Sequence, residues 1–304
     1  MELKIHIPEY VQDKDLCNFT ELFLLIPFIE YKWYNEVCKN MNWWNDGLFT
    51  KLFFNCRGLI KTSIDSCDVV YLPFKYNSKD WRVDEICGQA KLHNKRVVAF
   101  YNDDNMEIFK LPENLILFRS STCRNTIQKN ERIFPALVAD HSNVNELGQI
   151  RYDKGVGFCG HYEGARERII NKMEEVLPNN CNFIKRNGFY HSSDRVNANT
   201  KRQYYKNITE NRYTLCMRGA GNFSYRFYET LSLGRIPVLI SSDDILPFND
   251  LIEWEKYIIR VPEVDIIHLK DMIEQCEISP ESVRNLWVDY FSPEGYATNF
   301  IKEI

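Results

Sequence analysis

Glycine and proline are scarce in this chain. Its 304 residues include 13 Gly and 11 Pro, which excludes a collagen-like repeat and a Pro/Gly-rich disordered chain. No stretch reaches about 18 uninterrupted apolar residues, so no membrane-spanning helix is predicted. The longest candidate, Leu22 to Ile29, is short and is broken by Pro27. The opening MELKIHIPEY has no basic region followed by an apolar one, and so does not read as a signal peptide. Cys-x-x-Cys pairs and Cys/His clusters with zinc spacing are absent. So is a G-x-G-x-x-G near an N-terminal strand, which speaks against a dinucleotide site. With a formal net charge of −4, the chain is no basic binder of a nucleic-acid polymer.

What is present points to an ordered protein. Aromatic residues make up 14% of the chain, and disorder needs few of them. The length corresponds to about two domains. The ten cysteines are scattered, and several, such as Cys159 and Cys216, lie inside apolar runs. Buried free thiols are the expected state, in a cytoplasmic, reducing compartment. The sequons at Asn18, Asn207 and Asn222 then carry no meaning.

Short β-branched and aromatic runs alternate with helical patterns. Strands are predicted at 68–74, 96–101 and 115–119, with a helix at 84–94. A polar, turn-rich stretch at 139–148 reads as a linker. A second set follows, with strands at 155–159, 182–185, 212–217, 236–240 and 257–261. Its helices are expected at 165–177, 201–211, 224–233, 267–276, 280–291 and 294–304. Strand–helix alternation twice over predicts two doubly wound α/β halves. The expected division is 1–145, 146–285, and a terminal helix at 286–304 packing back on the first half.

Charge is uneven along the chain. Residues 151–233 hold 14 Lys/Arg against 8 Asp/Glu, a net of +6, and the remainder holds 24 against 34, a net of −10. A basic second half fits an anionic ligand there, and chance clustering of surface charge competes with that reading. The most informative segment is YTLCMRGAGNFSYRFYETLSLGRIPVLI, Tyr213 to Ile240. A strand ends near Met217, and Arg218, Gly219, Ala220, Gly221 and Asn222 turn into a helix near Ser224. Glycines permit close approach of backbone to ligand, and a helix start offers unpaired N–H groups to an anion. Arg226 and Glu229, three apart, are neighbours on one face of that helix. They suit a nucleotide-sugar, with Arg218 and Arg226 on phosphates and Glu229 on ribose hydroxyls. They equally suit a surface ion pair of little energetic weight. Gly160 and Gly164 bracket a second strand-to-helix loop, with His161 inside it and Arg166 and Arg168 in the following first turn. Basic residues there oppose the helix dipole, and a bound diphosphate relieves the conflict. A satisfied loop histidine is as good a reading of His161.

The segment resembles the signature of the exostosin-like glycosyltransferases. The resemblance rests on Cys216, Gly219, Gly221, Ser224, Arg226, Glu229, Gly234, Pro237 and Val238, continuing through Pro247, Phe248 and Trp254. Weaker similarity reaches Asp68 to Pro73 and Phe158, Gly160 and Arg166, so it spans about residues 65 to 260. It implies an inverting enzyme of the GT-B fold, two Rossmann-like domains facing a cleft, using a nucleotide diphosphate sugar as donor and a glycan hydroxyl as acceptor. A uridine-linked sugar such as UDP-xylose is the default donor. Family relatives are usually membrane-anchored, whereas this chain resembles a compact soluble form of microbial or viral type.

Inverting transfer needs a general base and electrostatic help for the leaving diphosphate. Arg166, Arg218 and Arg226 are candidates for the second task. For the first, loops of the N-terminal half offer Asp80, Asp103 and Asp104, of which one is expected to act; ordinary turn or cap chemistry competes for each. The cluster Trp43, Trp44, Asn45 and Asp46 is a candidate for stacking on a sugar, with core packing the stronger reading for at least one of the two tryptophans. The one Asp-x-Asp spacing, Asp13–Lys14–Asp15, follows no convincing strand, so no catalytic metal is expected. A non-catalytic carbohydrate-binding protein that retains the fold is the alternative.

Overall fold

The computed structural model describes residues 3–8, 59–140, 149–187 and 198–304. The tryptophan pair at 43–44, the Asp13–Lys14–Asp15 spacing and the sequon at Asn18 lie outside these residues, as does most of the expected linker.

Two all-parallel sheets organise the chain. The first has six strands in the order β2-β1-β3-β4-β5-β6. They are β1 (Leu3–His6), β2 (Leu59–Lys61), β3 (Val69–Tyr71), β4 (Arg96–Tyr101), β5 (Leu115–Arg119) and β6 (Glu131–Ile133). Helix α1 (Trp81–Leu92) links β3 to β4. The central strands β3, β4 and β5 are largely buried on both faces, as expected of a parallel sheet covered on both sides. Alternation sorts the side chains. Val70, Leu72, Val97, Ala99, Leu115 and Leu117 pack with Val83, Ile86 and Ala90 of α1. Tyr71, Val98, Phe100, Ile116 and Phe118 enter a second core on the opposite face.

The second sheet has five strands in the order β11-β10-β9-β7-β8. They are β7 (Tyr152–His161), β8 (Cys181–Arg186), β9 (Asn211–Met217), β10 (Ile236–Ile240) and β11 (Ile259–Val261). Helix α2 (Ala165–Val176) joins β7 to β8, α3 (Ala198–Glu210) precedes β9, and α4 (Tyr225–Ser232) joins β9 to β10. This is the two-sheet parallel architecture implied by the GT-B resemblance. In α4, Phe227 and Leu231 are buried against the sheet, one helical turn apart.

Three helices close the chain: α5 (Leu269–Glu274), α6 (Pro280–Tyr290) and α7 (Pro293–Phe300). Serine caps start the last two, with Ser279 accepting from the Glu281 N–H and Ser292 from the Gly295 N–H. Phe300 of α7 lies against Tyr71, Phe100 and Phe118 of the first sheet. The core on this side therefore runs without a break from the first sheet into the second half.

The seven described cysteines are unpaired. Burial pushes the Cys87, Cys181 and Cys216 thiols up to about 12, so they behave as small apolar groups. Among the described residues, no helix is long and apolar enough to cross a membrane.

Candidate functional site

In an open parallel sheet a crevice forms outside the carboxyl ends of the strands, where the strand order reverses. In the second sheet that point lies between β7 and β9. From β7 the chain moves outward to β8, and from β9 it moves the other way to β10 and β11. The loops after β7 and β9 therefore flank one crevice, and both were singled out by sequence.

Arg166, in the first turn of α2, ties the two loops together. Its Nη2 and Nε donate to the Arg218 carbonyl at 3.0 and 3.4 Å. Burial, and then the neighbouring Arg226, hold the Arg166 guanidinium below its ordinary range. Two close cations in a partly desolvated crevice destabilise one another, and a bound anion reverses the sign of that interaction.

Arg226 reaches back from α4 across the crevice. Its Nη2 donates to the Cys159 carbonyl at 2.8 Å. Its guanidinium lies 4.4 Å over the Phe158 ring and 5.5 Å over that of Tyr204, in cation–π range. Its Nε is buried without a hydrogen-bond partner. A Cβ at Gly160 would lie 2.6 Å from Arg226 Nη2, so this glycine makes room for an arginine.

Glu229 follows one turn later. Both of its oxygens accept phenol hydroxyls from α3: Tyr204 donates to Oε2 at 2.5 Å and Tyr205 to Oε1 at 3.0 Å. Burial raises the Glu229 carboxyl above the usual range, against the opposing pull of the two tyrosines, Arg226 and Lys201. No direct ion pair with Arg226 is formed. The two tyrosines were missed by sequence, because aromatic residues on an amphipathic helix read as core.

Helix α4 opens at Ser224, which has the extended backbone of an N-cap but makes no side-chain capping bond. The first-turn N–H groups thus keep unused capacity. The preceding loop is closed by Gly219 N–H donating to the Phe223 carbonyl at 2.9 Å. Arg218 and Ser224 line a small pocket between the halves together with Ser120, Tyr228, Ser241 and Asp244. Asp244 is buried, its carboxyl raised by burial and lowered in part by Arg260, whose Nε stands 3.3 Å away. Sequence did not single it out.

Other expected site residues have different employment. His161 Nε2 stands 3.3 Å from Glu163 within its own loop. Gly221 is a point of contact between the halves. A Cβ there would collide with Ser121 Oγ and would lie 2.7 Å from the Asp104 carbonyl oxygen. The Asn222 amide is likewise taken up, donating to the Thr122 carbonyl at 2.9 Å and the Asp243 carbonyl at 3.2 Å.

The three candidate bases separate by environment. Asp80 is the N-cap of α1, accepting from the Arg82 N–H and holding the Arg82 guanidinium at 2.5 Å. Asp103 accepts from Lys75 Nζ at 2.9 Å, and this contact with the Asn105 N–H draws its carboxyl down against the upward push of burial. Asp104 is exposed, and its backbone abuts Gly221 at the mouth of the crevice. Arg119, fully buried, holds this loop in place: it pairs with Glu131 at 2.9 Å and donates to the Glu107 and Asn105 carbonyls.

Residues 155–276 match the family model of the Exostosin GT47 domain, the segment that carries both loops. A probable glucuronosyltransferase of Physcomitrium patens is 38% identical over 80 residues, covering 26% of this chain and 17% of that protein. A probable beta-1,4-xylosyltransferase of Arabidopsis thaliana is 35% identical over 80 residues, covering 26% of this chain and 19% of that protein. The chain thus matches less than a fifth of these relatives' length. A solved glycosyltransferase from Rickettsia africae covers 99% of this chain at 7% identity and a TM-score of 0.43, too remote to bear on its chemistry.

Proposed function

We propose that this chain, whose second half is exostosin-like, transfers a sugar from a nucleoside diphosphate sugar to a glycan hydroxyl with inversion at the anomeric carbon. The observation that carries the reading is the Arg166–Arg226 pair of cations, set at the sheet's switch point beside the uncapped start of α4. Such a place attracts a diphosphate. Arg218, at the same loop, adds a third guanidinium. Glu229, one turn inside α4, accepts the ribose hydroxyls.

In the reaction the acceptor hydroxyl attacks the anomeric carbon as its proton passes to a carboxylate. The bond from that carbon to the phosphate oxygen breaks, and its electron pair leaves on the diphosphate. The three arginines stabilise the charge that develops there, a task that needs no metal ion in this reading. Among the three candidate bases, Asp104 is favoured by its exposure and by its position against Gly221. Asp80 and Asp103 are held in ion pairs.

The names of the relatives make UDP-glucuronate and UDP-xylose the first donors to try. The test is calorimetry with uridine and guanosine diphosphates, followed by slow donor hydrolysis across a panel of sugar nucleotides. Binding below millimolar concentration is expected, and Arg226→Ala should weaken it by about 1–3 kcal/mol, the range for a lost charged hydrogen-bond partner. No nucleotide binding at millimolar concentration overturns the proposal. Binding of glycan without consumption of any sugar nucleotide would favour the carbohydrate-binding alternative.

A further inference from the structure

We infer that Tyr204 is a positioning residue, whose phenol fixes the Glu229 carboxylate so that one acceptor site on each of its oxygens faces a vicinal diol. The inference rests on the reading of Glu229 as the ribose-binding group.

Consecutive residues on a helix point about 100° apart, so Tyr204 and Tyr205 do not share a face of α3. Both hydroxyls nevertheless converge on Glu229, one on each oxygen, at 2.5 and 3.0 Å. The carboxylate therefore sits in the wedge between the two phenols. The rings themselves are edge-to-face, with centroids 5.2 Å apart, which fixes their mutual orientation. Helix α3 is anchored to the sheet behind them: Asn207 donates to the Asn182 carbonyl at 2.8 Å, and Asn211 donates to the Asn207 carbonyl at 2.7 Å. The donors are thus mounted on a fixed element.

An ionised carboxylate offers about four acceptor sites, two on each oxygen. The phenols occupy one per oxygen. What is left is one site per oxygen, side by side on the two oxygens, which can accept from two adjacent hydroxyls of a ring. Phenol donors also favour the ionised form, opposing the burial that raises this carboxyl. Only the ionised form accepts from a diol at both oxygens.

Tyr204 has a second contact besides Glu229. The Arg226 guanidinium lies 5.5 Å from the centre of its ring. One side chain therefore touches both the group assigned to the ribose and the group assigned to phosphate. Replacement by phenylalanine keeps the ring under Arg226 and removes the hydroxyl, which bonds Glu229 and also faces Arg226.

The experiment compares UDP with 2′,3′-dideoxy-UDP, by calorimetry, on the wild-type chain and on Tyr204→Phe, Tyr205→Phe and Glu229→Gln. Wild type is expected to prefer UDP over the dideoxy compound about tenfold. Tyr204→Phe should remove most of that preference by weakening UDP alone, with the dideoxy affinity held within twofold. Tyr205→Phe should do the same to a smaller extent. In the Glu229→Gln background, Tyr204→Phe should have no further effect on the preference. Equal weakening of both nucleotides by Tyr204→Phe, or no weakening of either, overturns the inference and leaves a purely structural tyrosine. A wild type that binds both nucleotides equally removes the ribose assignment of Glu229 instead. A wild type that binds neither removes the proposed function. The wild-type and Tyr205→Phe measurements keep the test decisive if Tyr204→Phe fails to fold.

Discussion

Arg226 Nη2 stands 2.6 Å from where a side-chain carbon on Gly160 would be. An arginine on α4 thereby borrows the missing side chain of a strand end 66 residues earlier. The Arg226 guanidinium is the far end of a flexible chain, so a methyl at 160 displaces it rather than breaking the sheet. Gly160→Ala is expected to weaken UDP binding about tenfold, equivalent to about 1.4 kcal/mol. Its melting temperature should stay within a few degrees of wild type. Calorimetry and a thermal melt on the same sample check both halves of the expectation. A variant that binds normally would show that Arg226 does not need this position.

Gly221 presents the opposite case, because two of the three nearest atoms in the way are backbone. A methyl there meets Ser121 Oγ and lies 2.7 Å from the Asp104 carbonyl oxygen and 2.8 Å from its Cα. Neither half can yield cheaply at this contact. Gly221→Ala should destabilise the protein by about 1–3 kcal/mol, the usual range for overpacking, measured by urea unfolding. Adding Ser121→Gly removes one of the obstructions and should recover part of the loss. Transfer should fall more than nucleotide binding, since the contact sets the mouth of the crevice and not the diphosphate site.

Glu229 links stability to pH in a direction that can be worked out. Burial raises its carboxyl above the ordinary range despite two phenols and two cations nearby. Between the ordinary carboxyl pKa and this raised one, the folded state binds more protons than the unfolded state. Stability therefore falls as pH rises through that window and levels off above it. Glu229→Gln removes the titrating group. The variant should lose this segment of pH dependence in thermal melts. At neutral pH it should be at least as stable as wild type, although its affinity for UDP drops by about 1–3 kcal/mol. A variant less stable than wild type at neutral pH would mean that the tyrosine hydrogen bonds outweigh the burial of charge.

The parts legible in the sequence are those whose local pattern and final environment agree. Ile236–Ile240 and Leu115–Arg119 are buried along their whole length, and their apolar runs announce that for all but Arg119. The Arg226–Glu229 spacing is legible because three residues on a helix always share a face. Strands β1, β2 and β6 were not predicted. Each has only three or four residues, and pairing across distant sequence, such as Ile5 with Val69, holds them. The site residues that sequence reasoning missed share the same cause. Tyr204, Asp244 and Arg119 acquire their roles only from partners brought close by the fold. For Asp80 the sequence offered two readings, and the cap it forms on α1 with the Arg82 side chain folded back on it favours the capping one. In the first half, α1 is the only helix between consecutive strands among the described residues. On the other face of that sheet lies the terminal helix, through Phe300.

That helix carries a further prediction. Phe300 is buried and its ring centroid lies 4.9 Å from that of Phe118, 6.0 Å from that of Phe100 and 6.4 Å from that of Tyr71. Nearby, Tyr296 meets Phe134 edge-on with centroids 6.2 Å apart. Arg132 donates to the Glu303 carbonyl at 3.2 Å, and Arg96 donates to that of Ile304 at 2.6 Å. These contacts bind the last turns of the chain to the first sheet, although α6 and α7 follow the second half in sequence. Phe300→Ala leaves a cavity facing three aromatic rings, which a sheet cannot collapse to fill. It should cost about 3–5 kcal/mol, the range for a fully buried phenylalanine, read from urea unfolding. The loss falls on the core shared by the two halves, so unfolding should remain a single transition followed equally by probes in either half. Two separated transitions, with the second half unfolding at its original midpoint, would show that the halves are independent units and that the shared core does not couple them.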